Sequence, residues 1–195
     1  MEEIREAKRE LREKIEKSIK AFSEEEHQAR IREIETRLFD FANFLESRIV
    51  LLYVNEKNEV DTQNILMKTH DYGKIIVLPV FQREKGRVRL LKVDDPSRDL
   101  VAGPGGLLAP NLQRCREVPM ECIDIAIIPG VAVDEKGGRL GAGDGTYDRL
   151  IPKLPITTRK VALALEDQVV PQIPAEAHDK HVDIIITDKR IIYKI

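Results

Sequence analysis

The sequence predicts a three-layer α/β/α protein with a mainly parallel sheet and an N-terminal helical segment. Three observations carry this. Short, continuously apolar, β-branched runs recur from residue 48 to the C-terminus, as in strands buried on both faces. Helical patterns and loops separate them, which argues crossover connections and parallel pairing. The first 45 residues contain two apolar stripes at helical spacing and no strand signal.

The elements follow in order. Ile4, Leu11, Ile15, Ile19 and Phe22 fall near one stripe of a helix over 2–22. Ser23 before Glu24, Glu25 and Glu26 is an N-cap with acids in the first turn of a second helix, carried through Ile31, Ile34, Leu38, Phe41, Ala42 and Leu45. "RIVLLY" (48–53) is the first strand. "DTQNILMKTHDYG" is a capped helix ended by Gly73. "KIIVLPVF" (74–81) is the next buried strand, and the more alternating "GRVRLLKV" (86–93) is expected at a sheet edge. Residues 94–119, rich in Asp, Pro and Gly, form a long irregular connection of the kind that often carries function. "IDIAIIPGVAVD" (123–134), "KVALALE" (160–166) and "VDIIITDKRIIYKI" (182–195) supply the remaining strands.

The 195 residues, 42% apolar, suffice for one domain spanning 1–195. A formal charge of −2 with interspersed acids and bases gives no footprint of nucleic-acid or anionic-membrane binding. No apolar run approaches the roughly 20 residues that span a bilayer, and the charged N-terminus is not a signal peptide. Cys115 and Cys122 match no common zinc or redox spacing and read as thiols of a reducing compartment, so a cytoplasmic protein is expected.

One stretch stands apart. "GGRLGAGDGTYDRL" places Gly137, Gly138, Gly141, Gly143 and Gly145 within nine residues, directly after a buried strand. Such a cluster marks special dihedrals or a backbone that something approaches closely. Its spacing is neither the dinucleotide fingerprint nor the phosphate loop ending in Lys. Consecutive amides near a helix start nonetheless make an anion-binding concavity. Arg139 and Arg149 offer bidentate partners for phosphate, and Asp144 and Asp148 are hard ligands for magnesium. The alternative is a long Gly-rich hairpin with solvated charges.

"PGVAVDEKGGRLGAGDGTYDR" resembles the signature of the 5-formyltetrahydrofolate cyclo-ligases, or methenyltetrahydrofolate synthetases, written loosely P-G-[VL]-[AG]-F-D-x-x-G-x-R-L-G-x-G-x-G-Y-Y-D. "AKRELR" (7–12), "NEVDT" (58–62), "GKIIVLPVF" (73–81) and "PAEAHDKHVDIIITD" (174–188) resemble further segments of that family in the same order, so the likeness covers nearly the whole chain. It implies a Rossmann-like fold similar to the NagB/RpiA/CoA-transferase-like architecture. It also implies a cytoplasmic, monomeric ligase that uses ATP and Mg2+ on a reduced folate. In that reaction ATP activates the formyl oxygen as a phosphate ester, N10 attacks the formyl carbon, and phosphate leaves.

The resemblance implies the following roles. Lys8 and Arg12, at i and i+4 on one helix face, reach the ATP phosphates. Arg139, Leu140, Gly141, Ala142, Gly143, Asp144, Gly145, Thr146 and Tyr147 form the loop that wraps the nucleotide, and Lys8, Arg12, Arg139 and Tyr147 are the catalytic set. Glu59 and Thr146 meet the folate. Asp148 and Asp179 are the magnesium carboxylates. The residues alone leave a transition-metal site of His178, Asp179 and His181 open. Four positions depart from the pattern: Thr146 replaces a Tyr, Ala142 an often basic residue, Gly105 an aromatic and Ala109 a polar residue. Asp144 adds a charge that repels phosphate unless a metal intervenes. Two other functions remain open on these departures: a diverged ATP-binding paralogue with a different small carbonyl substrate, or a catalytically inert binding protein.

Overall fold

The computed structural model describes residues 2–194, without the side chains of residues 83 and 104. Six helices occur among the described residues: α1 Glu2–Lys20, α2 Glu24–Asp40, α3 Ala42–Glu46, α4 Gln63–Asp71, α5 Pro96–Asp99 and α6 Thr146–Leu150. The strands are β1 Ile49–Leu51, β2 Ile75–Gln82, β3 Arg87–Val93, β4 Leu100–Ala102, β5 Leu108–Pro110, β6 Arg116–Glu117, β7 Ile125–Ile128, β8 Ala132–Asp134, β9 Arg139–Leu140, β10 Arg159–Leu163, β11 Val169–Val170, β12 Ile184–Ile186 and β13 Ile191–Tyr193.

The main sheet has the order β13-β12-β10-β7-β1-β2-β3-β6. Its five central strands, β12 to β2, pair in parallel, while β13, β3 and β6 are antiparallel additions at its ends. Side chains alternate between faces with period two. Val50, Ile125, Ile127, Val161, Leu163, Ile184 and Ile186 join the core beneath α2, α3 and α4. Leu51, Ala126, Ile128, Ala162, Ala164 and Ile185 face Leu150, Ile151 and Leu154 of α6 and the turn after it. The second helical layer is therefore thin. Ala126, Ala162 and, just past β10, Ala164 on that side need little cover. A smaller sheet, β11-β8-β9, packs against α1 through Ile15, Ala132 and Leu140, and β4 and β5 form a separate hairpin.

Several element boundaries differ from the sequence expectation. The second helix breaks at Phe41, whose extended backbone (φ −72°, ψ 124°) ends α2 and begins α3. At about 100° per residue, Phe39 and Phe41 would face opposite sides of one continuous helix; the break lets Phe39, Phe41 and Phe44 all enter the core. β3 is not the edge of its sheet, because β6 pairs outside it. The segment 94–119 holds α5, two strands of a hairpin and β6 rather than irregular chain. Asp99 organises it: its buried carboxylate accepts from the amides of Asp94 and Asp95 and from Arg114 Nε at 2.8 Å. The expected strand at 123–134 is two strands, β7 and β8, in different sheets. That expected over 182–195 is an antiparallel pair, with residue 195 outside the described range. Among the described residues no helix is long and apolar enough to cross a membrane.

Candidate active site

The site begins where β7 ends. Pro129 and Gly130 turn the chain out of the main sheet into the β8–β9 hairpin, whose Val131 amide donates to Leu140 O at 2.7 Å. Asp134 closes that hairpin. Its buried carboxylate accepts from the amides of Lys136 (3.0 Å), Gly138 (2.9 Å) and Ile173 (2.8 Å). Gly137 has φ +83°, and a Cβ there would stand 2.4 Å from Val182 O; one at Gly138 would stand 2.5 Å from the Asp134 carboxylate. These two glycines therefore serve hairpin packing. Gly141, Gly143 and Gly145, by contrast, line a cavity.

Arg139 braces the loop that follows. It is only 5% exposed, with Nη1 donating to Pro129 O and Nη2 to Asp148 Oδ1, both at 3.0 Å. Its Nε is buried without an acceptor among the described residues, although the side chain borders the cavity. The loop 142–144 is exposed, and α6 starts immediately after it. Asp144 Oδ1 accepts from both the amide (3.1 Å) and the hydroxyl (2.8 Å) of Thr146. Thr146 borders the cavity but is buried, and its hydroxyl is turned to Asp144. Two of the departures from the family pattern are one local structure.

The face of α1 that carries Lys8 and Arg12 closes the cavity from the other side. Lys8 Nζ donates to Asp179 Oδ2 at 2.6 Å and to Glu176 Oε2 at 3.1 Å. Burial opposes the Lys8 ammonium, but the two carboxylates outweigh it and raise its pKa. Burial likewise opposes the Asp179 carboxylate, and the Lys8 bond outweighs it, so Asp179 titrates below its ordinary range; Glu176 is lowered chiefly by the same ammonium. Arg12 Nε donates to Gly141 O at 2.9 Å, tying α1 to the glycine loop, and burial lowers its pKa against the opposing charge of Asp179.

Glu59 lies in the loop between β1 and α4. It is half-buried, and its Oε2 accepts from the Glu56 amide at 2.8 Å. Burial pushes its pKa up to about 7, with the Glu56 amide bond acting in the opposite direction. Tyr147 stands across from an apolar wall, its ring meeting Phe81 edge-on at 5.2 Å between centroids. Burial, then the charge of Glu59, raises the Tyr147 phenol well above its ordinary value.

All these groups border one cavity of about 1390 Å3, larger than the ~300–1,000 Å3 of a pocket for a single small ligand. It brings together Lys8, Arg12, Glu59, Arg139 to Asp148 and Asp179, the residues assigned by the family resemblance to nucleotide, folate and metal. It adds Arg5, Phe81 and Glu176, which sequence reasoning missed. Arg5 had a legible signal, since it lies one turn before Lys8. Glu176 had one too, three residues before Asp179. Phe81 had none, because only the packing of β2 against α6 brings it to Tyr147. His181 does not border the cavity. Among the described residues, the three ligating groups within 4.8 Å of one another are Glu176, His178 and Asp179. Asp148 is not of that trio; its Oδ1 serves Arg139 and the Lys180 amide (3.0 Å). Gly105, φ +72°, and Gly106, φ +78°, turn the β4–β5 hairpin, so an aromatic at 105 would be strained there. Ala109 borders the cavity with Leu107 and Leu108.

A cavity bounded by the chain leaving β1 and β7, with loop cations on one side and apolar walls on the other, is the ligand site of an α/β enzyme. The 5-formyltetrahydrofolate cyclo-ligase family matches residues 4–188. The 5-formyltetrahydrofolate cyclo-ligase of Mus musculus is 26% identical over 192 residues, covering 94% of each chain. That of Escherichia coli (strain K12) is 27% identical over 173 residues, covering 88% of this chain and 95% of the relative. The NMR structure of Aquifex aeolicus 5,10-methenyltetrahydrofolate synthetase superposes with a TM-score of 0.83 at 32% identity, over 96% of this chain and 92% of that one. The chain belongs to the 5-formyltetrahydrofolate cyclo-ligase family, a family of ligases.

Proposed function

We propose that this protein closes the ring of 5-formyltetrahydrofolate to 5,10-methenyltetrahydrofolate, consuming ATP and releasing ADP and phosphate, as a monomeric single-domain enzyme of the cytoplasm. The observation that carries this reading is that one cavity, large enough for two ligands, collects the glycine loop, the α1 cations, Glu59 and the Asp179 carboxylate.

A formyl oxygen is a poor leaving group and phosphate a good one, so ATP supplies the activation. The chain's own part is positioning and charge neutralisation. Arg5, Lys8 and Arg12 present cations from one face of α1, and Arg139 holds the glycine loop open beneath them. The Glu176 and Asp179 carboxylates suit magnesium, a hard ion that takes oxygen ligands and keeps its waters. Lys8 bridges those carboxylates here; were a cation held by them, the Lys8 ammonium would be free to meet a phosphate oxygen. Asp148 steadies Arg139. Phe81 and Tyr147 supply the aromatic surface against which a pterin packs, in place of the aromatic absent at Gly105. Glu59, whose carboxyl burial pushes up to about 7, hydrogen-bonds the pterin edge.

The test is turnover. Purified protein with Mg-ATP and 5-formyltetrahydrofolate is expected to give the near-ultraviolet absorbance of the methenyl product, with one ADP per product. Glu59→Gln is expected to raise KM for the folate about tenfold and leave that for ATP within twofold. No methenyl absorbance with both substrates in excess refutes the reading.

A further inference from the structure

Glu59 is held from behind, by residues that do not border the cavity. Gln168 is 1% exposed, and each of its amide atoms is used: Oε1 accepts from the Leu165 amide at 2.8 Å, and Nε2 donates to Asn58 O at 2.8 Å and to Val131 O at 2.9 Å. Asn58 immediately precedes Glu59 and is the only non-glycine with positive φ among the described residues, at 65°. Asn tolerates this turn conformation better than other side-chain-bearing residues, and the Gln168 bond fixes the direction of its carbonyl. On the other side of Glu59, the carbonyl of Val60 accepts from the hydroxyl of Tyr53, itself 1% exposed, at 2.9 Å. Thr62 Oγ1 returns to Tyr53 O at 2.6 Å and closes the loop on β1. Both carbonyls that flank Glu59 are therefore fixed by buried side-chain donors.

The second acceptor of Gln168 matters as much as the first. Val131 opens the hairpin that carries Arg139, and its amide is bonded to Leu140 O. One buried amide thus sets the spacing between the Glu59 loop and the hairpin of the glycine loop, two walls of the same cavity. An apolar residue of the same size would leave the Leu165 amide and the Asn58 and Val131 carbonyls without this partner.

We propose that Gln168 is a positioning residue which, together with Tyr53, fixes the backbone on both sides of Glu59 and so aims its carboxyl group at the reduced folate. This rests on the reading of Glu59 given above. The groups that face the Glu59 carboxyl are Glu56, Tyr53, Tyr147, Arg139 and Asp144. None of them is removed by Gln168→Met, so a change in Glu59 after that substitution reports its placement.

The experiment compares Gln168→Met and the milder Tyr53→Phe with the unaltered protein. Both are expected to raise KM for 5-formyltetrahydrofolate at least fivefold with KM for Mg-ATP within twofold. Both are also expected to move the Glu59 carboxyl titration, followed by carbon NMR without substrate, down toward its ordinary range as water reaches it. Equal changes in the two KM values, or a Glu59 titration unmoved in both variants, overturn the proposal. If Gln168→Met does not fold, the split between the folate and ATP KM values in Tyr53→Phe decides, since that substitution also removes a group facing Glu59. Glu59→Gln with an unchanged folate KM refutes the role of Glu59 instead, and the substrate-free titration still decides whether Gln168 and Tyr53 place it.

Discussion

At the scale of single residues, the site places ionisable groups where burial and neighbours compete, and Glu59 is the clearest case. Its carboxyl is held near 7 by burial, against about 4.5 for the free group. The folded state therefore keeps this proton to higher pH than the unfolded chain does. Below about pH 4.5 both states carry it and folding is not penalised. As pH rises from about 4.5 to 7 the unfolded chain gives up this proton while the folded state keeps it, so stability falls by an amount on the order of 2 kcal/mol, allowing for water access, and levels off above 7. Glu59→Gln is expected to remove that fall, so the variant gains stability over the native protein at pH 8 and not at pH 5, as denaturant melts at the two pH values would show. Asp179 and Glu176 work in the opposite sense. Their pKa values are lowered beside Lys8, so their contribution is present above the ordinary carboxylate range and is lost as pH falls. The departures at Asp144 and Thr146 also resolve at this scale, since the carboxylate is engaged by the Thr146 amide and hydroxyl.

At the scale of elements, the glycine-rich segment divides into two parts with different duties. Gly137→Ala combines positive φ with a Cβ 2.4 Å from a backbone oxygen. It is expected to cost about 3 kcal/mol, a fall in Tm of roughly 10 °C, with KM values unchanged in whatever remains folded. A Cβ at Gly143 meets Arg12 Nη2 at an ordinary 3.6 Å, although φ is +120°. Gly143→Ala is therefore expected to cost about 1 kcal/mol in stability and to raise KM for ATP several-fold. Thermal melts and initial rates on the pair check this division, and equal loss of stability in both would contradict it. The same logic explains why α1 is long and charged. One stripe, Leu11, Ile15 and Ile19, packs on β8, β9 and nearby loops, and that packing presents Lys8 and Arg12 to the cavity.

At the scale of the whole molecule, the cavity joins chain segments far apart in sequence: α1, the loop after β1, β2, the hairpin β4–β5, the glycine loop and 176–179. A ligand that spans them binds the folded state alone. Mg-ATP at a hundred times its Kd is expected to stabilise the protein by about 2.7 kcal/mol, a rise in Tm of roughly 5–10 °C. Adding EDTA in excess over the metal is expected to reverse most of the rise, because Glu176 and Asp179 then face the phosphates with only Lys8 between them. Melting curves with and without chelator check this.

The sequence by itself determined the alternation of buried strands with helices, because short, continuously apolar runs and period-3.6 apolar patterns are local and survive without any knowledge of partners. The glycine loop was legible as a cluster, while Lys8, Arg12, Glu59 and Asp179 were singled out by the resemblance of contiguous motifs, and all of them border the cavity. The tertiary structure alone decided what meets what. It broke the second helix at Phe41 so that three phenylalanines share one core, and it set β6 outside β3. It also built a hairpin from a segment with no periodic signal, brought Phe81 to Tyr147, and paired Lys8 with Glu176. The clamp of Gln168 on Asn58 and Val131 spans 110 residues in one bond and 37 in the other. Contacts of that kind depend on which faces the sheet order brings together, and chain-local chemistry carries no record of them.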